Sequence, residues 1–259
     1  MSKYNTPPGA LKDVLPEKLE SDKMRVVLLS YTADPERLCG SAAKSCYSER
    51  GASDIYREIS REDASRVVSH VRDMGHHSVL EHANFTFSLE GVSRVLTHQL
   101  VRHRIASYSQ QSQRYVKVEE ASVVEPSSVK DNPRAHEVFN RIVEEAKEAY
   151  QKLLKEGIPA EDARFILPQG IETNIVVTMN ARELWHFFTL RTCFRAQWEI
   201  NQVAWEMLRL VKEVAPELFR GAGPACIRGP CPEGPKSCGW WRTREARRMR
   251  EEYRKARLK

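Results

Sequence analysis

The densest group of polar side chains in the sequence runs over residues 102–115, directly after an apolar helical segment. It opens with Arg-His-Arg at 102–104 and continues with the Ser, Gln and Arg side chains of residues 107–114. Arginine supplies planar, forked donors for a phosphate or for the carbonyl edge of a base. Serine and glutamine supply neutral donors and acceptors that suit a pyrimidine. These residue types predict the binding of a flat, polar, anionic ligand.

A structural interpretation of the same segment stays open at this point. Arginines at the C-terminal end of a helix also offset the helix dipole, and segments rich in Gln and Ser are often only polar loops. The residue types alone therefore leave ligand binding and a polar loop as equal alternatives. Glu81 and His82 can likewise be interpreted as part of a binding site or as a structural pair, and the residue types do not decide between the two.

The order of the residues decides between these alternatives. Arg-His-Arg, seven further residues, and then Ser112 followed by Gln-Arg-Tyr resembles the signature of the flavin-dependent thymidylate synthases. The resemblance continues upstream in GHHSVLEHANFTF, residues 75–87, and downstream in DARFILP, residues 162–168, and NARELWHFFTLRTCFRAQWEI, residues 180–200. Together these segments cover residues 25–215, and the N-terminal arm and the C-terminal tail lie outside them.

The resemblance implies that the chain binds FAD. The positions that it assigns to this cofactor are Ser78, Arg102, His103, Arg104, Gln110, Asn180, Ala181, Arg182 and His186. His76 and Ser78 match positions near the flavin that a neighbouring subunit could contribute. His186 follows Arg182 by four residues, so both side chains lie on one helical face.

The resemblance also implies that the chain binds dUMP. The positions that it assigns to the nucleotide are Gln99, Arg102, Gln110, Gln111, Ser112, Gln113, Arg114, Arg164 and Arg191. Ser112 and the amides around it suit the phosphate, whose charge Arg114 would neutralise. Arg191 is the expected catalytic residue, because it aligns with the arginine that polarises the uracil and favours loss of its ring-nitrogen proton.

The implied reaction converts dUMP to dTMP. NADPH reduces FAD, 5,10-methylenetetrahydrofolate supplies the one-carbon group, and flavin hydride completes the methyl group, in a homotetramer with shared sites. No activated thiol is needed, and Cys46 and Cys193 do not stand in the sequence context of the cysteine-dependent thymidylate synthases. Their replacement by Ala is therefore expected to leave activity in place.

Periodicity predicts a helix-rich α+β (mixed α/β) fold, and the resemblance implies a central, mainly antiparallel sheet. The predicted strands are residues 24–31, which we interpret as buried, residues 83–91 with Phe85, Phe87 and Leu89 on one side, and residues 171–179. The predicted helices are 35–44, 60–74, 92–103, 133–156 with a stripe of Val138, Ile142, Ala146 and Leu153, and two within 181–215. The aromatic residues of the last helices are expected in the core: Trp185, Phe187, Phe188, Trp198 and Trp205.

Composition divides the chain into an arm at residues 1–22, a catalytic FAD- and dUMP-binding domain at 23–220, and a Cys/Pro/Gly-rich segment with a basic tail at 221–259. Residues 239–259 hold nine Lys or Arg and three Glu, which accounts for the whole formal net charge of +6. The bulk charge therefore gives no argument for nucleic-acid binding by the main domain. The absence of an apolar leader or spanning segment predicts a cytoplasmic protein.

The tail itself allows several interpretations. Cys226, Cys231 and Cys238 are separated by four and six residues, which is not a zinc-finger spacing, and we predict no metal site. The basic residues after Trp241 fit a solvated helix, a subunit-docking arm or a site for RNA. The last of these gives the rival hypothesis of a non-catalytic nucleic-acid-binding protein.

Overall fold

The computed structural model describes residues 24–116 and 122–257, and a four-stranded antiparallel sheet lies at the centre of this part. Its strands follow the spatial order β1-β2-β4-β3 and are β1 (Arg25–Tyr31), β2 (Asn84–Ser93), β3 (Ala106–Gln110) and β4 (Glu172–Asn180). The helices are α1 (Pro35–Ser45), α2 (Ala52–Glu58), α3 (Arg61–Asp73), α4 (Arg94–Leu100), α5 (Ser127–Lys130), α6 (Pro133–Lys155), α7 (Ala160–Ala163), α8 (Ala181–Arg191), α9 (Trp198–Val214) and α10 (Arg244–Arg257). This architecture confirms the predicted helix-rich α+β class. The predicted arm at 1–22 lies outside the described residues.

Strand β2 organises the core because its side chains alternate between a buried and a half-buried face. Phe85, Phe87 and Leu89 are fully buried, as their spacing predicted. Strand β4 pairs with β2 and adds Ile175 and Val177 to the same apolar layer. Helices α4, α8 and α9 pack around this layer and hold the ends of their strands in place.

Side-chain caps fix the start of the helices that face the site. Ser60 accepts the backbone N–H of Asp63 at 3.0 Å, which begins α3, and Gly75 follows the helix with a φ of +84°. Asn180 accepts the backbone N–H of Glu183 at 2.9 Å and begins α8 directly after β4. Such a cap contributes about 1 kcal/mol, so the first turn of α8 is determined locally.

Two predicted elements differ from the structure at the edge of the sheet. Strand β1 pairs only with β2 among the described strands and is an edge strand rather than a buried one, with Leu29 and Tyr31 exposed. The helix predicted at 92–103 is the shorter α4, because Val92 and Ser93 continue β2 and pair with β4. The apolar spacing that suggested an earlier helix start therefore includes residues at the end of β2, after its bulge.

The predicted stripe of α6 is only partly buried, with Ala146 and Leu153 half-buried. Val138 and Ile142 are about half exposed, whereas Val143 and Tyr150 are the buried side chains of this helix. The face that packs on the chain is therefore rotated from the face that has the regular apolar spacing. A helix with two apolar faces gives the sequence no means of choosing the inner one.

Strand β3 was not predicted, because its residues are polar. Ala106–Gln110 pairs with β4 as the other edge of the sheet, and polar side chains are tolerated there. The Tyr108 hydroxyl donates to the carbonyls of Leu100 and His103 at 2.8 and 2.7 Å. These bonds tie the strand to the end of α4 and orient the Arg-His-Arg segment.

The C-terminal segment packs on the rest of the chain instead of extending into solvent. Residues 221–239 contain only short 3-10 turns, yet Cys226 and Trp240 are buried together with Ala246 of α10. The inner face of α10 continues through Met249, while its other side carries exposed charges. None of the described helices is long and apolar enough to cross a membrane.

Candidate active site

A cavity of about 840 Å³ opens where the 3-10 turn after α3, the end of α4 and the first turns of α8 meet. Six of the residues predicted to contact flavin line it: Arg102, His103, Arg104, Asn180, Arg182 and His186. The fold therefore joins the Arg-His-Arg and Asn-Ala-Arg segments, which lie about 80 residues apart in sequence. The Arg-His-Arg segment precedes β3 and the Asn-Ala-Arg segment begins at the last residue of β4. Because β3 pairs with β4, with Ala106 opposite Met179, the sheet sets their separation.

His103 lies in the wall of this cavity with 4% of its surface exposed. Its Nδ1 is 3.1 Å from the Glu183 carboxylate, and its Nε2 accepts a hydrogen bond from Arg191 Nε at 3.1 Å. A guanidinium can only donate, so Nε2 carries no proton and the neutral ring is protonated on Nδ1. Burial, followed by the positive charges of Arg191 and His186, lowers the pKa of His103 to about 4.

Arg191, the predicted catalytic residue, ends α8 and lies behind His103. Its Nη2 donates to the Gln99 carbonyl at 3.3 Å, and the Asn201 side chain holds the Arg191 carbonyl at 2.8 Å. Burial lowers the pKa of Arg191, although a guanidinium keeps its charge at neutral pH. The Gln99 amide itself faces Gln197 at 3.5 Å.

The remaining Asn-Ala-Arg positions have different roles. The side chain of Asn180 is occupied as the cap of α8, and Ala181 is fully buried with its N–H bonded to the Ala83 carbonyl at 2.8 Å. Arg182 lies at the rim and forms an ion pair with Glu81, and both side chains are about half exposed. Glu81 therefore lines the cavity, whereas His82 is not among the lining residues.

Several predicted dUMP contacts gather at the opposite end of β3. Arg114 Nε bonds to the Glu161 carboxylate at 2.8 Å, and Arg164 Nε donates to the Glu161 carbonyl at 3.0 Å. Arg94, which the sequence did not single out, donates to the Gln111 carbonyl at 3.2 Å. Burial and the neighbouring Arg164 lower the pKa of Arg94. Of these three arginines only Arg114 is paired with a carboxylate in the contacts of the described residues, so the group leaves a positive charge that suits a phosphate.

The other residues of this group are partly engaged within the chain. Gln110 directs its amide inward, 3.3 Å from the hydroxyls of Thr97 and Thr173. Ser112 accepts a backbone N–H two residues further on at 3.2 Å, and Gln113 is buried. One copy of the chain places this group at a distance from the cavity lined by His103.

The two residues predicted to lie near the flavin, His76 and Ser78, are placed differently by the structure. His76 lines a second cavity, of about 640 Å³, beside α1 and α3. Ser78 is exposed in the 3-10 turn His77–His82, and the residue between them, His77, lines the first cavity. A shift by one residue around a tight turn changes the direction of a side chain, and no periodicity in the sequence indicates which residue faces inward.

Comparisons with known proteins identify the family of the chain. The family model described as thymidylate synthase complementing protein matches residues 27–217. The chain belongs to this family, the flavin-dependent thymidylate synthases. It is 53% identical over 218 residues to the flavin-dependent thymidylate synthase of Geobacter sulfurreducens, covering 83% of this chain and 94% of that protein.

Two further flavin-dependent thymidylate synthases show the same breadth of similarity. The protein of Clostridium tetani is 46% identical over 232 residues, covering 83% of this chain and 93% of its own length. The protein of Pyrococcus abyssi is 47% identical over 234 residues, covering 86% and 96%. Family membership makes the chain an enzyme, so the rival hypothesis of a non-catalytic nucleic-acid-binding protein is set aside.

Beyond the part that matches the flavin-dependent thymidylate synthase family, the C-terminal segment adds residues to the cavity that the sequence did not indicate. Arg228 and Tyr253 both line it. Arg228 donates to the Gly221 carbonyl at 2.9 Å and to the Thr189 hydroxyl at 2.8 Å, and its guanidinium lies 5.2 Å from the centre of the Trp185 ring. Burial lowers the pKa of Arg228.

The aromatic predictions are confirmed for the innermost side chains. Phe187 and Phe188 are fully buried and Trp205 nearly so. Trp185 is only half-buried and lines the cavity, with its indole N–H on the Leu218 carbonyl at 2.7 Å. Trp198 is also half-buried. The sequence analysis placed Trp185 in the core and did not predict that it lines the cavity, because a half-buried helix position has no sequence pattern that separates it from a buried one.

Proposed function

We propose that this chain is the thymidylate synthase that converts dUMP to dTMP with reduced FAD as hydride source, 5,10-methylenetetrahydrofolate as one-carbon donor and NADPH as reductant. The observation that carries the proposal is the cavity in which neutral His103 is fixed between Glu183 and Arg191. These residues are held in place before the ligand binds, so they can position and polarise it without reorganisation. Positioning and polarisation are the main contributions that the protein makes to this reaction.

The donor set of the cavity suits a flavin dinucleotide. Arg102, Arg104 and Arg228 line it, and their donors match a diphosphate, while half-buried Trp185 offers an apolar surface. When bound, FAD would accept hydride from NADPH and return it to the one-carbon group. The chain's own contribution is to hold the cofactor by its charges and to keep the His103 ring neutral beside it.

The second group of arginines supports a phosphate site for dUMP. Arg114 is paired with the Glu161 carboxylate, Arg164 donates to the backbone carbonyl of the same residue, and Arg94 lies close enough to Arg164 for the two charges to repel each other. A bound phosphate would relieve the repulsion between Arg94 and Arg164 and compete with Glu161 for Arg114. Glu161 would then act as a stand-in anion that keeps the Arg114 side chain in place before the nucleotide binds.

Arg191 is proposed to polarise the uracil. One of its N–H groups is committed to His103 and another to the Gln99 carbonyl, which leaves further donors of its fork for a carbonyl oxygen. A positive charge held at low exposure next to that oxygen favours the anionic form of the ring after loss of its nitrogen proton. Arg191 would therefore act on the substrate while His103 fixes its orientation.

We further propose a homotetramer with shared sites in the cytoplasm. The His103 cavity and the group around Arg114 are separate in one copy, and an adjacent copy could bring them together. Exposed apolar side chains of the described residues support such contacts: Ile105, Val138, Ile142 and Phe165. All six cysteines are unpaired, as expected in a reducing compartment.

Anaerobic absorbance spectroscopy of the protein reconstituted with FAD tests the proposal. Bound flavin should bleach on addition of NADPH, and dTMP should form after addition of dUMP and 5,10-methylenetetrahydrofolate. Retention of FAD with no dTMP from any folate donor would contradict the reaction. A folded protein that binds no flavin, or that instead binds RNA with a steep salt dependence, would contradict the whole proposal.

A further inference from the structure

The main cavity curves around α8 and has two ends. Glu183 is at one end, where its carboxylate lies 3.1 Å from His103, and Trp185 is at the other. Two residues along a helix correspond to a rotation of about 200°, so these two side chains leave α8 in nearly opposite directions. Arg182 and His186 line the cavity between them. A cavity of this form suits an elongated ligand whose two halves differ.

The end near Trp185 is built mainly by the C-terminal segment. Arg228 and Tyr253 line it, and both follow residues 27–217, the part that the family model matches. The Arg228 guanidinium lies 5.2 Å from the centre of the Trp185 ring. Gly221 contacts both side chains, because its carbonyl accepts from Arg228 and the Tyr253 ring occupies the space where a Cβ would stand. We call this part the Arg228 end of the cavity and the opposite part the His103 end.

Neutral acceptors hold the Arg228 guanidinium in place. Its Nη1 donates to the carbonyls of Gly221 and Gly223 at 2.9 and 3.0 Å, and its Nη2 donates to the Thr189 hydroxyl at 2.8 Å. These bonds use three of the five N–H donors of an arginine, which leaves the rest of the fork for a ligand. The positive charge of Arg228 is therefore fixed in position without being neutralised by the groups that fix it.

The charges of the cavity wall do not balance. Two of its five arginines are paired with carboxylates, Arg182 with Glu81 and Arg72 with Asp73. The other three have no carboxylate partner within the described part of the chain: Arg102, Arg104 and Arg228. Arg102 and Arg104 are exposed to solvent, whereas Arg228 is half-buried. A partly buried cation without a counter-charge is unfavourable, and an anionic ligand would compensate for it.

We propose that the Arg228 end binds the adenylate half of FAD and makes this chain select FAD over FMN, which lacks that half. The inference rests on the function proposed above, since it takes FAD as the cofactor. An adenylate combines a phosphate with a flat, largely apolar base. The Arg228 end offers the matching groups, an uncompensated guanidinium and the half-buried rings of Trp185 and Tyr253. The C-terminal segment thus supplies a specificity-determining contact of the cofactor site.

The positions of the two ends set the direction of the cofactor. Arg191, which is proposed to polarise the uracil, adjoins His103 at 3.1 Å. The flavin ring must act on the same substrate, so it belongs at the His103 end. The opposite direction would place the flavin ring beside Arg228, away from the residues that act on the uracil. The adenylate half is therefore the part of FAD that reaches the C-terminal segment.

Binding titrations of the full-length wild-type protein, freed of flavin, test the inference without any substitution. FAD should bind at least about tenfold more tightly than FMN, since a hydrogen bond to a charged group is worth that much. AMP should compete with FAD, and AMP and FMN should bind at the same time because they use different ends. Equal affinities for FAD and FMN, failure of AMP to compete with FAD, or displacement of AMP by FMN would overturn the inference and leave the proposed function intact. A protein that binds neither flavin would contradict the proposed function itself.

Arg228→Met keeps an apolar side chain against Trp185 and removes the charge. It should lower the affinity for FAD by about ten- to a hundredfold and leave the affinity for FMN unchanged. Arg220→Met is the matched control, because Arg220 pairs with Glu217 beside the same segment and does not line the cavity, so both affinities should keep their wild-type values. An unchanged affinity for FAD in Arg228→Met, or an equal loss for FAD and FMN as a purely structural role would give, would refute the assignment.

Discussion

At the scale of single residues, one histidine connects the polar network of the cavity. His103 accepts from Arg191 on one side and donates to Glu183 on the other, so its tautomer is set by two partners that come from the same helix. Burial disfavours the protonated ring, and a proton there would also place a positive charge beside Arg191 and His186, so the pKa of His103 falls to about 4. The site is therefore arranged around a neutral imidazole.

This depressed pKa predicts a dependence of stability on pH. The unfolded chain takes up the His103 proton near its ordinary pKa of about 6.5, whereas the folded chain does so only near pH 4. The stability that the neutral ring contributes is present above pH 6.5 and is lost as the pH falls from there towards 4. Urea unfolding at pH 5 and pH 7 should show a smaller difference for His103→Gln than for the wild type. An unchanged difference would contradict the assignment.

Arg191→Ala should reduce dTMP formation by at least about a hundredfold while FAD remains bound, since an oriented charge on the substrate is typically worth that much. Arg191→Lys should not restore the rate, because an ammonium cannot donate to His103, the Gln99 carbonyl and a uracil at once. Single-turnover rates and flavin titrations separate the two effects. Arg209→Ala, at an exposed arginine paired with Glu206, serves as the control.

At the scale of elements, the first turn of α8 joins folding to the site. Asn180 ends β4 and caps the helix that carries Arg182, Glu183 and His186 to the cavity. A local signal in the sequence, an Asn before a helical apolar pattern, therefore sets the depth at which these side chains lie. Asn180 therefore caps α8 and lines the cavity from the same short turn, where the flavin contact was expected.

Asn180→Ala should lower the free energy of unfolding by about 1 kcal/mol and also weaken FAD binding. Asn132→Ala is the matched control, because Asn132 caps α6 by accepting the N–H groups of Arg134 and Ala135 at 3.2 Å, and it does not line the cavity. Its stability loss should be similar and its FAD affinity unchanged. Equal FAD affinities for the two variants would argue against a site role for the α8 cap.

At the scale of the whole molecule, the C-terminal segment completes the cavity. Gly221 adopts a φ of +77°, and a methyl group there would collide with the Tyr253 ring of α10. The glycine thus allows α10 to approach closely enough for Tyr253 to reach the wall that Arg228 also forms. Gly221 and Tyr253 both lie beyond the part of the chain that the family model matches, residues 27–217.

Gly221→Ala should therefore displace Tyr253 and weaken FAD binding several-fold. Gly157→Ala is the control, since Gly157 has a similar φ of +81° with no atoms near the position of the new methyl group. Both variants should lose about 1 kcal/mol of stability from the left-handed backbone, but only the first should alter flavin titrations. The double variant Gly221→Ala/Tyr253→Ala separates steric displacement from loss of the ring.

The sequence by itself determined the features that depend on neighbouring residues. Strand β2 follows from the alternation of Phe85, Phe87 and Leu89, and α3 follows from the Ser60 cap and the Gly75 end. The order of motifs around the Arg-His-Arg segment was enough to indicate the family. Caps and periodicities act over a few residues, so they can be read without knowledge of the partners.

Only the tertiary structure decided the contacts between distant segments. Packing against elements far along the chain determines which face of α6 is buried and whether His76 or His77 lines the main cavity. The same kind of packing places Arg228 in the wall of that cavity. The spacing of residues along the chain does not predict such long-range contacts, because packing between distant elements determines which of several locally equivalent faces is buried.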